Sequence, residues 1–136
     1  MKKNLVEDKK IKKVKEKSFK RFISSFKYCF EGMNYAFYNE VNIMVMIIIA
    51  IIALVLGVLL KINYVETLVI VTLIGVVLSL EMVNTALEAT VDLVTEEKKP
   101  LAKVAKDCAS GAVGIMSIIS LIVGIMIFLP KILNLF

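Results

Sequence analysis

The chain has 136 residues and is 59% hydrophobic, with a mean hydropathy of +0.84, which excludes an ordinary soluble domain because too little polar surface is available to cover it. Its net charge of +5 is concentrated near the N-terminus, where 11 of the 17 Lys and Arg residues lie within the first 27 positions. A basic segment ahead of a hydrophobic span is typical of a juxtamembrane region and argues against a nucleic-acid partner. The chain contains no His, which excludes imidazole metal sites and His-dependent nucleophiles.

Residues 1–17 are Lys-rich, and we expect them to form a solvated cytoplasmic arm near anionic lipid head groups. Ser18 is the predicted N-cap of the helix that follows. Large apolar side chains then recur with helical spacing, at Phe19, Phe22, Ile23, Phe26, Phe30, Met33 and Phe37. This spacing predicts an amphipathic helix over residues 18–39 that lies on the membrane surface; a soluble helix that packs on a partner is the alternative.

Three hydrophobic segments follow, and each is long enough to be a membrane-spanning helix. The first contains 18 consecutive residues without a charge, about 27 Å as a helix. The third is rich in small residues, which suit close helix packing, and is expected to end before Pro130. The predicted fold is therefore an all-α integral membrane bundle within residues 18–136. Its predicted spans cover about residues 41–60, 67–94 and 101–129.

The Lys and Arg residues are distributed unequally between the two ends of these spans. Fifteen lie in the N-terminal segment and in the region around the second loop, against only Lys61 and Lys131 at the opposite ends. The excess of positive charge marks the cytoplasmic side, so the N-terminus is predicted to be cytoplasmic and the C-terminus outside.

The segment EMVNTALEATVD, residues 81–92, carries a row of polar side chains within the second span. A carboxylate in hydrocarbon costs about 2.5–3.5 kcal/mol, so an aligned row of acids predicts that something binds to it. Helical geometry places the row within a stripe about 80° wide. Its members are Glu81, Asn84, Glu88 and Asp92.

The depth of these acids indicates what they bind. Carboxylates at the membrane surface, with Lys106 near them, suit Mg²⁺ and nucleotide phosphates, whereas a deeper carboxylate suits a general base. Together they indicate phosphoryl transfer from a cytosolic nucleotide to a hydroxyl in the membrane. The alternative is that the polar groups pair with one another simply to let the helices associate. The chain has neither GxxxxGK[ST] nor GxGxxG, so side chains and metal would have to hold the nucleotide.

The pattern E-x-x-N-T-A-x-E-x-x-x-D at residues 81–92, followed by A-K-D at residues 105–107, resembles the signature of the small prokaryotic diacylglycerol kinase family, which includes the undecaprenol kinases. The resemblance extends over about residues 21–129. It implies a bacterial plasma-membrane enzyme that uses ATP and Mg²⁺ to phosphorylate a membrane lipid. It also implies a homotrimer of three-span subunits, with active sites shared between subunits.

The resemblance assigns roles to individual residues by position. Glu81 corresponds to the catalytic base, and Glu40 and Glu88 correspond to the carboxylates that hold Mg²⁺ on the nucleotide. The remaining matches are to positions around the nucleotide: Arg21, Tyr28, Asn84, Asp92, Lys98, Lys99, Lys106 and Asp107.

The acceptor lipid is expected to be undecaprenol. Met46 stands where the diacylglycerol kinase branch has an acid, and V-D-L-V-T at residues 91–95 and Asn42 are similar to the undecaprenol kinase branch. Diacylglycerol is the alternative acceptor. A different class, a small ion-translocating subunit, predicts an acid at the bilayer centre, whereas these charges gather at one interface. A helix-bundle scaffold is the third alternative.

The topology prediction can be tested by cysteine labelling in a background with Cys29→Ser and Cys108→Ser. With Asn63→Cys, the new thiol should react with a membrane-impermeant maleimide added to intact cells, because the turn after the first span is predicted to lie outside. With Glu97→Cys, the thiol should react only after the membrane is permeabilised. The reverse labelling pattern would contradict a cytoplasmic location for the acidic row.

Overall fold

A computed structural model describes residues 2–95, 97 and 99–134, with side chains from residue 18 onward. These residues form helices and no strand: α1 (Lys2–Asn39), α2 (Val41–Leu59), α3 (Tyr64–Val94) and α4 (Pro100–Leu133). The last three helices are long and apolar enough to cross a membrane, which confirms the prediction of a three-span, all-α membrane protein. The chain divides into two compact units, Met1–Tyr38 and Asn39–Phe136.

Helix α1 begins at Lys2, so the predicted N-cap at Ser18 is wrong, and Ser18 lies inside the helix. The reason is that residues 2–17 contain neither Gly nor Pro and are rich in Lys, a good helix former, so nothing in them stops the helix. Farther along, the Phe22 and Phe26 rings meet edge to face at 5.2 Å, and both side chains are exposed. The division into an arm of residues 1–17 and a domain of residues 18–136 stays a prediction.

Helix α3 begins at Tyr64, one turn earlier than predicted, because Asn63 and Glu66 form a capping box. The Asn63 side chain accepts a hydrogen bond of 2.9 Å from the Glu66 backbone N–H, and the Glu66 carboxylate accepts one of 2.7 Å from the Asn63 backbone N–H. The predicted spans leave both residues in the turn between two helices. Their N-x-x-E spacing is in fact a helix start signal.

Helix α4 passes through Pro130 to Leu133, so its predicted end before Pro130 is wrong. A proline removes one backbone hydrogen bond, but contacts around it hold this last turn in place. The Asn134 backbone N–H donates to the Pro130 carbonyl at 3.1 Å, and the Lys131 ammonium group forms an ion pair of 3.0 Å with Glu66. This pair ties the end of α4 to the start of α3.

Within the unit Asn39–Phe136, α3 packs extensively against α4, whereas α2 packs on α3 and touches α4 only slightly. The predicted role of the α4 glycines in this packing is not seen, because no described atom outside α4's own backbone lies within 4 Å of where the Cβ of Gly111, Gly114 or Gly124 would be. The separation of α2 from α4 leaves an apolar groove of about 640 Å³, lined by side chains of all three spans that include Met46, Leu78 and Ser120. Helix α3 is therefore the element to which both other spans are attached, and it carries the acidic row.

Candidate active site

Glu81 is the most deeply buried polar residue of the described side chains, with 2% of its surface exposed. Its Oε1 atom has no hydrogen-bond partner among the described residues. The Asn42 side chain of α2 lies beside the carboxyl group. Glu40, at the N-cap of α2, and Glu88, on α3 itself, add like charges near it. A carboxylate oxygen that is buried and has no hydrogen-bond partner is suited to take a proton from an incoming donor.

Asn84 and Glu88 lie on the same face of α3 and are joined by a hydrogen bond. The Asn84 Nδ2 atom donates to Glu88 Oε1 at 2.9 Å. Asn84 is 5% exposed, and its Oδ1 atom, like Glu81 Oε1, has no partner among the described residues. The predicted polar face is therefore present. Two of its oxygens are buried without a hydrogen-bond partner among the described residues, and one oxygen of the Glu88 carboxylate accepts a hydrogen bond from Asn84.

Glu40 occupies the break between α1 and α2, where its backbone is extended at φ −114° and ψ 110°. It is the N-cap residue of α2, but its carboxylate makes no capping hydrogen bond, so this group is not committed to the helix end. The described residues contain no group of three or more metal-binding side chains. Mg²⁺ on a nucleotide takes one or two carboxylates and fills its other positions with phosphate and water oxygens, so two acids suffice in number. The assignment of Glu40 and Glu88 to this role stays a prediction.

Two ion pairs lie at the same end of the bundle. The Lys106 ammonium group donates to Asp92 Oδ1 at 2.6 Å and joins α4 to α3, so these two predicted site residues are brought together. Asp107 is paired with Lys103 one turn away on α4. Lys103 is not among the predicted site residues. Its position four residues before Asp107 is nevertheless typical of an ion pair within one helix.

The remaining predicted site residues are not brought into this group by the described contacts. Arg21 and Tyr28 lie on α1 in the unit Met1–Tyr38, where the Arg21 backbone carbonyl accepts hydrogen bonds from the hydroxyls of Ser24 and Ser25. Lys99 forms an exposed ion pair of 3.5 Å with Glu97. Lys98 lies outside the described residues. The assigned roles of these residues stay predictions.

Asn42 lies beside Glu81, the candidate base, but is not among the predicted site residues. In the sequence it is notable only for its similarity to the undecaprenol kinase branch. Its position two residues after Glu40, at the first turn of α2, was the available signal. Sequence alone does not reveal that this turn packs against Glu81, because that contact depends on how α2 lies on α3.

The chain is similar to known proteins of one family. The family model that describes prokaryotic diacylglycerol kinase matches residues 27–128. An undecaprenol kinase of Bacillus subtilis (strain 168) is 43% identical over 111 residues, which cover 82% of this chain and 90% of that protein. A diacylglycerol kinase of Synechocystis sp. is 38% identical over 112 residues, covering 82% of this chain and 64% of that protein.

A third relative is a diacylglycerol kinase of Pseudomonas aeruginosa, 31% identical over 93 residues, which cover 68% of this chain and 76% of that protein. The family match extends over well more than half of the chain and includes the whole acidic row. The resemblance inferred from the motif is thereby confirmed. The chain belongs to the prokaryotic diacylglycerol kinase family.

Proposed function

We propose that this protein is a lipid kinase that transfers the γ-phosphate of ATP to the hydroxyl group of undecaprenol, with Mg²⁺ as its metal. The observation that carries the proposal is the Glu81 carboxyl, buried within a span of a chain of this family, with one oxygen unpartnered among the described residues. A buried carboxylate with an unpaired oxygen can act as a general base where a hydroxyl must lose its proton away from water.

Glu81 is the general base of the proposed reaction. Its carboxylate takes the proton of the lipid hydroxyl, the lipid oxygen forms a bond to the γ-phosphorus, and the bond from that phosphorus to the leaving ADP oxygen breaks. The carboxylate holds the proton while the new phosphate ester forms. Because phosphoryl transfer depends mainly on positioning and charge stabilisation, the depth of Glu81 relative to the nucleotide is as important as its basicity.

Glu40 and Glu88 are the residues proposed to hold Mg²⁺. The metal, when bound, neutralises charge on the transferring phosphoryl group. A hydrogen bond from Asn84 restrains the Glu88 carboxylate. Glu40 lies between α1 and α2, and its carboxylate makes no capping hydrogen bond to α2. The proposed nucleotide contacts are Arg21, Tyr28, Asn84, Asp92, Lys98, Lys99, Lys106 and Asp107. Lys106 on α4 forms an ion pair with Asp92, a member of the acidic row on α3.

The proposed assembly is a homotrimer with active sites shared between subunits, in a bacterial plasma membrane with the N-terminus cytoplasmic. Helix α1 is proposed to lie on the membrane surface with its aromatic face toward the lipid. Support comes from its exposed phenylalanines; Phe19, Phe22 and Phe30 are each more than 60% exposed. Large exposed aromatic surface is unfavourable in water and favourable at a lipid interface.

Undecaprenol is preferred to diacylglycerol as the acceptor. The relative named undecaprenol kinase is 43% identical, against 38% and 31% for the two named diacylglycerol kinases. Met46 lines the apolar groove between the spans, so no acid is available at that position for the polar glycerol part of diacylglycerol. A polyprenol has no glycerol part and requires no such partner.

The roles of base and metal ligand can be separated because Glu81 and Glu88 lie seven residues, about 10 Å, apart along one helix. Glu88→Gln should raise the Mg²⁺ requirement or abolish MgATP binding. Glu81→Gln should keep near-normal MgATP affinity while kcat falls by about 10²- to 10⁴-fold, the usual loss on removal of a general base. Nucleotide affinity and turnover of both proteins in detergent provide the test.

Glu66→Gln is the matched control for this experiment. It makes the same substitution on the same helix, far from the acidic row. Glutamine can keep the capping box and loses only the ion pair with Lys131, which lies at the opposite end of α3 from the acidic row. Its nucleotide affinity and turnover should equal those of the wild type. Failure of Glu81→Gln protein to bind MgATP, or normal binding with slow turnover in Glu88→Gln protein, would reverse the two roles.

The acceptor preference is tested by steady-state kinetics in mixed micelles with saturating MgATP. Undecaprenol should give a higher kcat/KM than diacylglycerol, because the site lacks an acid at Met46. A clear preference for diacylglycerol would correct the substrate but leave the lipid kinase assignment intact.

A further inference from the structure

Asn84 lies between the two acids that the proposed function uses, three residues after Glu81 and four before Glu88. Residues at these spacings are neighbours on a helix surface. The Asn84 side chain is only 5% exposed, so its polar atoms do not form hydrogen bonds with bulk water. Whatever these atoms bind must come from the protein or from a bound molecule.

One end of the amide is occupied. Asn84 Nδ2 donates to Glu88 Oε1 at 2.9 Å. An ionised carboxylate accepts hydrogen bonds and cannot donate them, so the amide nitrogen must face Glu88 and the carbonyl oxygen must point away from it. This bond orients both side chains. It also fixes one carboxylate oxygen of Glu88, so that the direction of the other is set.

The other end of the amide is open. Asn84 Oδ1 and Glu81 Oε1 are both buried and both without a hydrogen-bond partner among the described residues. Two unpaired acceptors on adjacent positions of one helix face are unfavourable, because neither can satisfy the other while both lack a proton. A single proton placed on the Glu81 carboxyl would change that, since the resulting O–H group can donate to the Asn84 oxygen.

We propose that Asn84 is a positioning residue that links the metal-binding carboxylate to the base: its Nδ2 atom holds Glu88, and its Oδ1 atom accepts a hydrogen bond from Glu81 once Glu81 has taken the lipid proton. The inference rests on the proposed function. In this step the lipid O–H bond breaks and an O–H bond forms on Glu81. The electron pair left on the lipid oxygen forms the bond to phosphorus, and ADP leaves.

The timing of the second hydrogen bond determines its effect. Before proton transfer, Glu81 has no proton to donate, so the hydrogen bond between Glu81 and Asn84 Oδ1 contributes nothing to the binding of the lipid. As the proton arrives, the new hydrogen bond forms in a place that water does not reach. An interaction made only as the reaction proceeds raises kcat and leaves KM for the lipid nearly unchanged.

Asn84→Leu tests the inference, because leucine has a similar size and neither polar end. We expect kcat to fall by about tenfold to a hundredfold, the effect of losing one hydrogen bond to a charged or developing group. The Mg²⁺ concentration for half-maximal activity should rise severalfold, and MgATP affinity measured without lipid should weaken severalfold, since Glu88 is no longer held. The Tm in detergent should stay the same or rise, because an unpaired buried acceptor is removed.

Two further variants complete the experiment. Asn84→Gln keeps both polar groups and should recover part of kcat and of the MgATP affinity. Thr85→Val is the matched control, since Thr85 is also 5% exposed and its hydroxyl donates to the Glu81 backbone carbonyl. It changes a polar residue to an apolar one at the same depth and should leave kcat, Mg²⁺ dependence and MgATP affinity as in the wild type.

Wild-type kcat and Mg²⁺ dependence in the Asn84→Leu protein would overturn the inference. A fall in kcat that is matched by a lower Tm, with Mg²⁺ dependence and MgATP affinity unchanged, would also overturn it, because Asn84 would then have a structural role alone. The proposed function has its own separate failure: a wild-type protein that phosphorylates no lipid.

Discussion

The burial of the Glu81 carboxyl is the constraint on which the rest of the structure depends. Hydrocarbon supplies no hydrogen bonds, so a carboxyl group that is 2% exposed in a membrane-spanning helix is destabilising unless the protein surrounds it with polar partners. The Asn42 side chain of α2 lies beside the carboxyl group, and the packing of α3 on α4 contributes stability against this cost. The fold therefore retains an unfavourable group, and one of its oxygens has no hydrogen-bond partner among the described residues.

Contacts at both of its ends hold α3 in place. At one end the Asn63 and Glu66 capping box and the Glu66–Lys131 ion pair fix its start, and at the other the Asp92–Lys106 pair ties it to α4. Between these anchors, each residue adds about 1.5 Å of depth. Helix α3 can thus set the separation between the proposed base and the proposed metal-binding carboxylate, and therefore between a lipid hydroxyl and a nucleotide phosphate.

Local sequence patterns predicted the features that depend on local rules. Apolar run length predicted the three spans, and the 3.6-residue period predicted that Glu81, Asn84 and Glu88 share one face. The errors were also local: the capping box at the start of α3 was taken for a turn, and α4 continues through Pro130 because contacts at its end compensate for the missing donor. The contact of Asn42 with Glu81 was not predictable, since it depends on the tertiary packing of two helices.

Transfer of radioactive phosphate from ATP to lipid tests the central claim most directly. Purified protein is incubated with Mg²⁺, a total bacterial lipid extract and either [γ-³²P]ATP or [α-³²P]ATP, and the organic phase is separated by thin-layer chromatography. The proposed function predicts a labelled lipid with the mobility of a polyprenyl phosphate from [γ-³²P]ATP and none from [α-³²P]ATP, because only the terminal phosphoryl group moves. No labelled lipid from [γ-³²P]ATP, or equal labelling from both nucleotides, would contradict it.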